Sequence, residues 1–151
     1  MPVNRPDPSA ADRFAAAVAD LARPRDLRSL PVEAMHLVMA MRLCALFLAA
    51  RRDPVAELAT RFGSVTVACH VLDLSRAVAR CWPEPYGAAR PCCLRLSPDE
   101  ATLAGMAGAA LTGDDDGFAA VLDGFVRADR HEHLRLATIQ AVAALSGLTR
   151  P

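Results

Sequence analysis

Four cysteines fall within 25 residues of one another: Cys69, Cys81, Cys92 and Cys93, with His70 beside the first. Zinc and iron–sulfur clusters need several soft thiolate or imidazole ligands converging on one point. On that ground Cys81, Cys92, Cys93 and Cys69 are the candidate metal ligands, and zinc or an iron–sulfur cluster is the cofactor they would take. The usual spacing, two cysteines separated by two residues, is missing, and adjacent cysteines are poorly placed to chelate one ion. The set works only if the segment after Trp82 folds back and carries Cys81 toward Cys92 and Cys93. The competing reading is small buried thiols, since free cysteine is among the most buried residue types. Cys92 and Cys93 also precede a helix start, and a helix N-terminus activates a thiol placed against it. No base that could activate a nucleophile is legible nearby, so a thiol enzyme lacks its second component.

A second group of residues imitates a nucleic-acid unit. Leu58 and Ala59 supply an apolar residue followed by a small one, Phe62-Gly63 a helix end and turn glycine, and Leu72 a later apolar position. In this order the segment 55–74 resembles a helix-turn-helix of the repressor type. A recognition helix presents Arg, Lys, Asn, Gln or Ser to base edges. The corresponding run here, Val65 to Val71, is mostly apolar, so the segment reads as two packed helices joined by a glycine. Nucleic acid is not expected as a partner.

The remaining polar groups carry less. His131 and His133 are two apart on a helix and point to different sides, so they read as a solvated first turn. Asp114 to Asp116 lack the alternate spacing of a calcium loop and read as a helix cap facing the positive helix end. His36 and Arg42 interrupt the most apolar stretch of the chain and are read as lying at the rim of their helix, snorkelling outward. Asp73, Arg76 and Arg80 form a surface ladder.

The elements that would position these groups are helices. Ser9 and Asp12 mark a helix start, and a short helix follows over 10–22, with Phe14, Val18 and Leu21 on one face. Residues 31–51 form the strongest helix. It is apolar around nearly its whole circumference, which reads as burial on most sides, either at the centre of a bundle or at the centre of an oligomer interface. Asp53-Pro54 opens a helix ending at Gly63, and Ser64 caps one running to about Cys81. Four residues, Pro83, Pro85, Gly87 and Pro91, forbid a regular helix over 82–95. Ser97-Pro98-Asp99-Glu100 is a full capping box with proline at the first helical position, opening a helix that stops at Gly113. Phe118, Val121, Leu122, Phe125 and Val126 share a face in the next helix. The last helix runs over 131–145 and frays at Gly147.

The totals agree with one domain. The chain has 151 residues, 53% of them apolar and only 5% aromatic, a composition that favours closely packed helices over sheet. Its 17 basic residues, all arginine, balance 17 acidic ones, which removes the simplest electrostatic argument for nucleic-acid binding. No secretory leader is legible, and an odd number of cysteines, five, points to reduced thiols and a cytoplasmic setting. The apolar run 35–50 is shorter than the roughly 20 residues that span a bilayer, so no membrane segment is expected.

Phe62-Gly63, an apolar helix, then Pro91-Cys92-Cys93 and a helix opening with Asp99-Glu100 together resemble a family of small uncharacterised helical bacterial proteins with a Pro-Cys-Cys element. The resemblance implies a bacterial origin and carries over no known activity.

The sequence is thus expected to form an all-α, single-domain bundle of about six to seven helices around a central apolar helix, residues 31–51. The domain covers residues 9–148, and residues 1–8 are a disordered or extended tail. No catalytic residues are legible. The expected role is non-enzymatic, through protein–protein contacts, as a homodimer or with another protein. The alternatives are a DNA-binding regulator using 55–74 and a metal- or thiol-dependent protein using the cysteine loop 81–93.

Overall fold

A computed structural model describes residues 25–149, together with Ser9, Ala11, Asp12 and Ala15. Within residues 25–149 six α-helices are described: α1 (Val32–Ala49), α2 (Val55–Phe62), α3 (Val65–Cys81), α4 (Pro98–Thr112), α5 (Asp115–Leu122) and α6 (His131–Thr149). Short 3₁₀ turns at Leu27–Ser29 and Ala128–Arg130 lead into α1 and α6. Among the described residues there is no strand, only an isolated antiparallel bridge between Asp26 and Arg95. The expected all-α bundle is the fold. Most of the helix read over 10–22, and the tail 1–8, lie outside the described residues. The start signal is in place all the same: Asp12 N–H donates to Ser9 Oγ and Ser9 N–H to Asp12 Oδ2, both at 3.1 Å.

Local chemistry sets the helix boundaries. Ser64 accepts from the Val67 N–H at the head of α3. Asp114 accepts from the Gly117 N–H at the head of α5. Gly63 and Gly113 close α2 and α4 with φ of 64° and 66°, the left-handed backbone that glycine adopts without a Cβ clash. Two expectations differ from the structure. The helix expected to continue through Val126 stops at Leu122, and a turn at Gly124 (φ 72°) carries Val126 back into the core. The last helix does not fray at Gly147 but runs on to Thr149.

The core lies where α1, α3, α4 and α6 meet. α1 packs on the other three, α2 lies on α3, and α5 is held by α4 and α6. Leu37, Met41, Leu74, Leu103, Met106, Leu134 and Leu145 fill the centre, with Phe118 and Leu122 closing the α5 side. α1 is central, as expected, but it is not buried all round. Ala34, Leu37, Val38, Ala40, Met41, Arg42 and Cys44 face inward, whereas Val32, Met39 and Leu46 are 42%, 43% and 52% exposed. At 18 residues and mean hydropathy 1.7, α1 is long and apolar enough to cross a membrane. That differs from the expectation of no such segment. A core helix of a bundle meets the same criterion, and seven residues of α1 are packed inside this one.

Candidate functional site

Arg42 organises the region around the cysteine turn. It is not a rim residue: its side chain is 1% exposed, and that of Glu100 is fully buried. The two carboxylate oxygens of Glu100 receive Arg42 Nε at 2.7 Å and Nη2 at 2.9 Å, the two-point geometry that makes arginine–carboxylate pairs strong. Arg42 also donates Nη1 to the Cys93 carbonyl at 2.6 Å and Nη2 to the Arg95 carbonyl at 3.1 Å. Glu100 in turn accepts from the backbone N–H groups of Ala89 and Ser97, each at 2.9 Å. A buried charge is tolerated only when paired and hydrogen-bonded, and both partners meet that condition here. The Glu100 bond to Ser97 N–H is one half of the capping box expected from the sequence. In the other half, Ser97 Oγ accepts from Glu100 N–H at 3.1 Å.

The electrostatics follow from this enclosure. Burial alone would raise the Glu100 carboxyl, but the bonds from Arg42, Ser97 and Ala89 outweigh it and hold the group below its ordinary value. The bond to Glu100 raises Arg42 against its own desolvation, so the pair stays charged. Tyr86 stands near it, and burial pushes its phenol well up. The Tyr86 hydroxyl and the Trp82 indole N–H are buried without a hydrogen-bond partner.

The irregular segment after α3 is therefore pinned at both ends. Trp82 is buried and meets Phe125 edge-on, with ring centroids 5.1 Å apart, and Tyr86 at 6.1 Å. Residues 89–97 hang on Arg42 and Glu100. A tight turn lies between these anchors, closed by the Cys93 N–H donating to the Arg90 carbonyl at 2.9 Å.

This path decides where the cysteines go. Cys92 is exposed and Cys93 half-buried in the turn, Cys69 faces solvent from α3, and Cys81 is buried at the end of α3. Cys44, on the inner face of α1, is buried too, and burial pushes its thiol up to about 12. Among the described residues no three His, Cys, Asp or Glu side chains are grouped to hold a metal ion. Cys69, Cys81, Cys92 and Cys93 are thus not brought together as such a group among the described residues. Cys92 and Cys93 remain side by side as a pair.

The helix-turn-helix look-alike is α2, Gly63 and α3. The outward residues of α3 are Val65, Thr66, Cys69, Asp73, Arg76, Ala79 and Arg80. In its N-terminal half the outward residues are Val65, Thr66 and Cys69. His131 is half-buried, with Nε2 2.9 Å from the Val126 carbonyl, while His133 is exposed.

The outer face of α1 is left open. Val32, Met39 and Leu46 recur every seven residues, and so do His36, Leu43 and Ala50. On a helix both sets lie on one side. Met35 and Phe47 flank them. Beside this face runs a groove of about 470 Å³, walled by Met35, His36, Met39, Leu43, Phe62 and Pro91. His36 stands edge-on to Phe62 at 5.9 Å. The sequence reading places Arg42 at a rim and offers the 31–51 helix as a bundle centre or an oligomer interface without singling out this face. A lone arginine inside a sixteen-residue apolar run demands a buried acceptor, and the two seven-residue spacings were the signal for the face.

The chain matches no family model, no curated protein and no solved structure, so its role has to be read from these side chains.

Proposed function

We propose that this protein acts without catalysis, through protein–protein contact, and that its partner is a second copy of itself packed along the outer face of α1. The observation that carries the reading is the stripe Val32, His36, Met39, Leu43, Leu46 and Ala50. Its alternating steps of four and three residues are the spacing by which one helix seats into another. Its most exposed members are large and apolar, and a contiguous exposed apolar patch marks an interaction surface.

Charge placement selects an antiparallel pairing. Glu33 lies at the start of α1, and the exposed Arg51 and Arg52 lie just past its end. A twofold axis between Met39 and Leu43 sets Val32 opposite Ala50 of the second copy and His36 opposite its Leu46. It also brings Glu33 toward the cationic end of the other helix, and a twofold pairing is self-complementary in this way. Arg52 is already oriented by its stack on Phe47, 4.8 Å from the ring centroid.

The test is molar mass in solution. Light scattering behind size-exclusion chromatography should give a dimer for the protein and a monomer for Leu46→Glu, whose far-ultraviolet dichroism stays helical because Leu46 lies outside the core. A monomer for the unaltered protein at micromolar concentration would overturn the reading.

A further inference from the structure

We propose that Cys92 and Cys93 form an oxidisable dithiol, a modification site that a hydroperoxide closes into a disulfide between neighbouring residues. The two thiols are neighbours in one tight turn, closed by the Cys93 N–H on the Arg90 carbonyl, with Cys92 open to solvent and Cys93 half-buried. No third metal-ligating side chain joins them in a metal-capable group among the described residues. The alternative thiols are badly placed: Cys44 and Cys81 are buried, and Cys69 faces solvent from another element.

The chemistry balances with hydrogen peroxide as the oxidant. The Cys92 sulfur, having given up its proton to solvent, attacks one peroxide oxygen. An S–O bond forms, the O–O bond breaks, and the departing hydroxide takes up a proton as water. The Cys93 sulfur then attacks the sulfenic sulfur. An S–S bond forms, the S–O bond breaks, and the second hydroxide leaves as water with the Cys93 proton. Two thiols are oxidised to one disulfide and one peroxide is reduced to two waters.

Consecutive Cα atoms are about 3.8 Å apart, closer than the roughly 4.4–6.8 Å that disulfides usually span. A bond between neighbours is therefore strained, and strained exposed disulfides are the readily reduced, reversible ones. Closing the ring twists the peptide between the two residues and moves the Cys93 carbonyl. That carbonyl is the Arg42 Nη1 acceptor at 2.6 Å. Oxidation of the surface pair therefore reaches the buried ion pair through one carbonyl oxygen. The Ala89 and Ser97 N–H groups held by Glu100 should then open more often.

The experiment uses the full chain carrying Cys69→Ser, so that the other exposed thiol does not interfere. After treatment with equimolar hydrogen peroxide and alkylation, peptide mass mapping should show the peptide with Cys92 and Cys93 lighter by two hydrogens and unalkylated. Dithiothreitol should restore it, and either Cys92→Ser or Cys93→Ser should abolish the change. Hydrogen exchange at Ala89 and Ser97 should quicken at least about fivefold in the oxidised form, the factor that accompanies one buried N–H left unpaired. Sulfinic acid on Cys92 beside a free Cys93, or a disulfide between two chains, would overturn the proposal. So would a closed ring with unchanged exchange. Each readout is made on a single chain, so the result stands apart from whether α1 pairs.

Discussion

Arg42 and Glu100, 58 residues apart in the chain, meet inside the fold with Nε to Oε1 at 2.7 Å and Nη2 to Oε2 at 2.9 Å. What distinguishes the pair from an isolated buried salt bridge is its backbone company. Two carbonyls, of Cys93 and Arg95, and two N–H groups, of Ala89 and Ser97, end on the same two side chains. The pair ties α1 to α4 and also supplies hydrogen bonds to a loop that has no secondary structure of its own.

Arg42→Met should lower unfolding stability by about 3–5 kcal/mol, because it leaves the Glu100 carboxylate buried without its cation. An ordinary buried pair recovers when both members become apolar. Here the Arg42→Met, Glu100→Leu double variant should stay well below the unaltered protein, since four backbone groups lose their partners as well. Urea unfolding curves for the unaltered protein and the two variants decide this, and full recovery in the double variant would refute it.

Acid should weaken the fold through the same carboxylate. The Glu100 carboxyl is held below its ordinary value of 4.5 in the folded state. A lowered folded pKa contributes stability that is complete above the unfolded value and is lost as pH falls through the folded one. Stability should therefore change little through this group near neutrality and drop below about pH 4.5. Glu100→Gln should start lower at neutral pH and show a shallower acid decline, measured by urea midpoints across that range.

The five thiols should separate by burial. Burial raises both Cys44, to about 12, and Cys81, so neither supplies thiolate to a reagent near pH 8 while the fold holds. A disulfide reagent added to the reduced native protein should react quickly with Cys69 and Cys92 and more slowly with the half-buried Cys93. Cys44 and Cys81 should react only after unfolding. Rapid native labelling of Cys44 would contradict the packing of α1.

Ser97→Ala should cost about 1 kcal/mol as a lost helix cap, with some further loss because Ser97 Oγ also donates to the Gly87 carbonyl. Hydrogen exchange should quicken at Glu100 and along the first turn of α4, while the α3 amides remain protected.

Much of this fold was legible because its signals are local. The Ser97–Glu100 box, the Ser64 cap and the glycines at 63 and 113 each act within a turn or so of chain, and each sits where the spacing placed it. The end of α5 was misread because Val126 keeps the apolar rhythm of the helix across the Gly124 turn: its N–H still bonds the Leu122 carbonyl. Gly147 was taken for a helix end, but a glycine inside a packed helix costs only about 1 kcal/mol, and burial of Leu145 nearby outweighs that. Arg42 was placed at a rim because nothing within reach along the chain could neutralise it; its partner lies on α4. The openness of α1 was hidden for a related reason. Apolar residues around a whole helix look the same whether the second side meets the same chain or another one.

The central claim is that this second side meets another copy, and sedimentation equilibrium across a micromolar dilution series tests it most directly. The expected result is a mass of twice the 16.1 kDa chain, a reversible shift toward monomer on dilution, and monomer throughout for Met39→Glu and Leu46→Glu. A mass of one chain at every concentration would contradict it, as would a dimer that both substitutions leave intact.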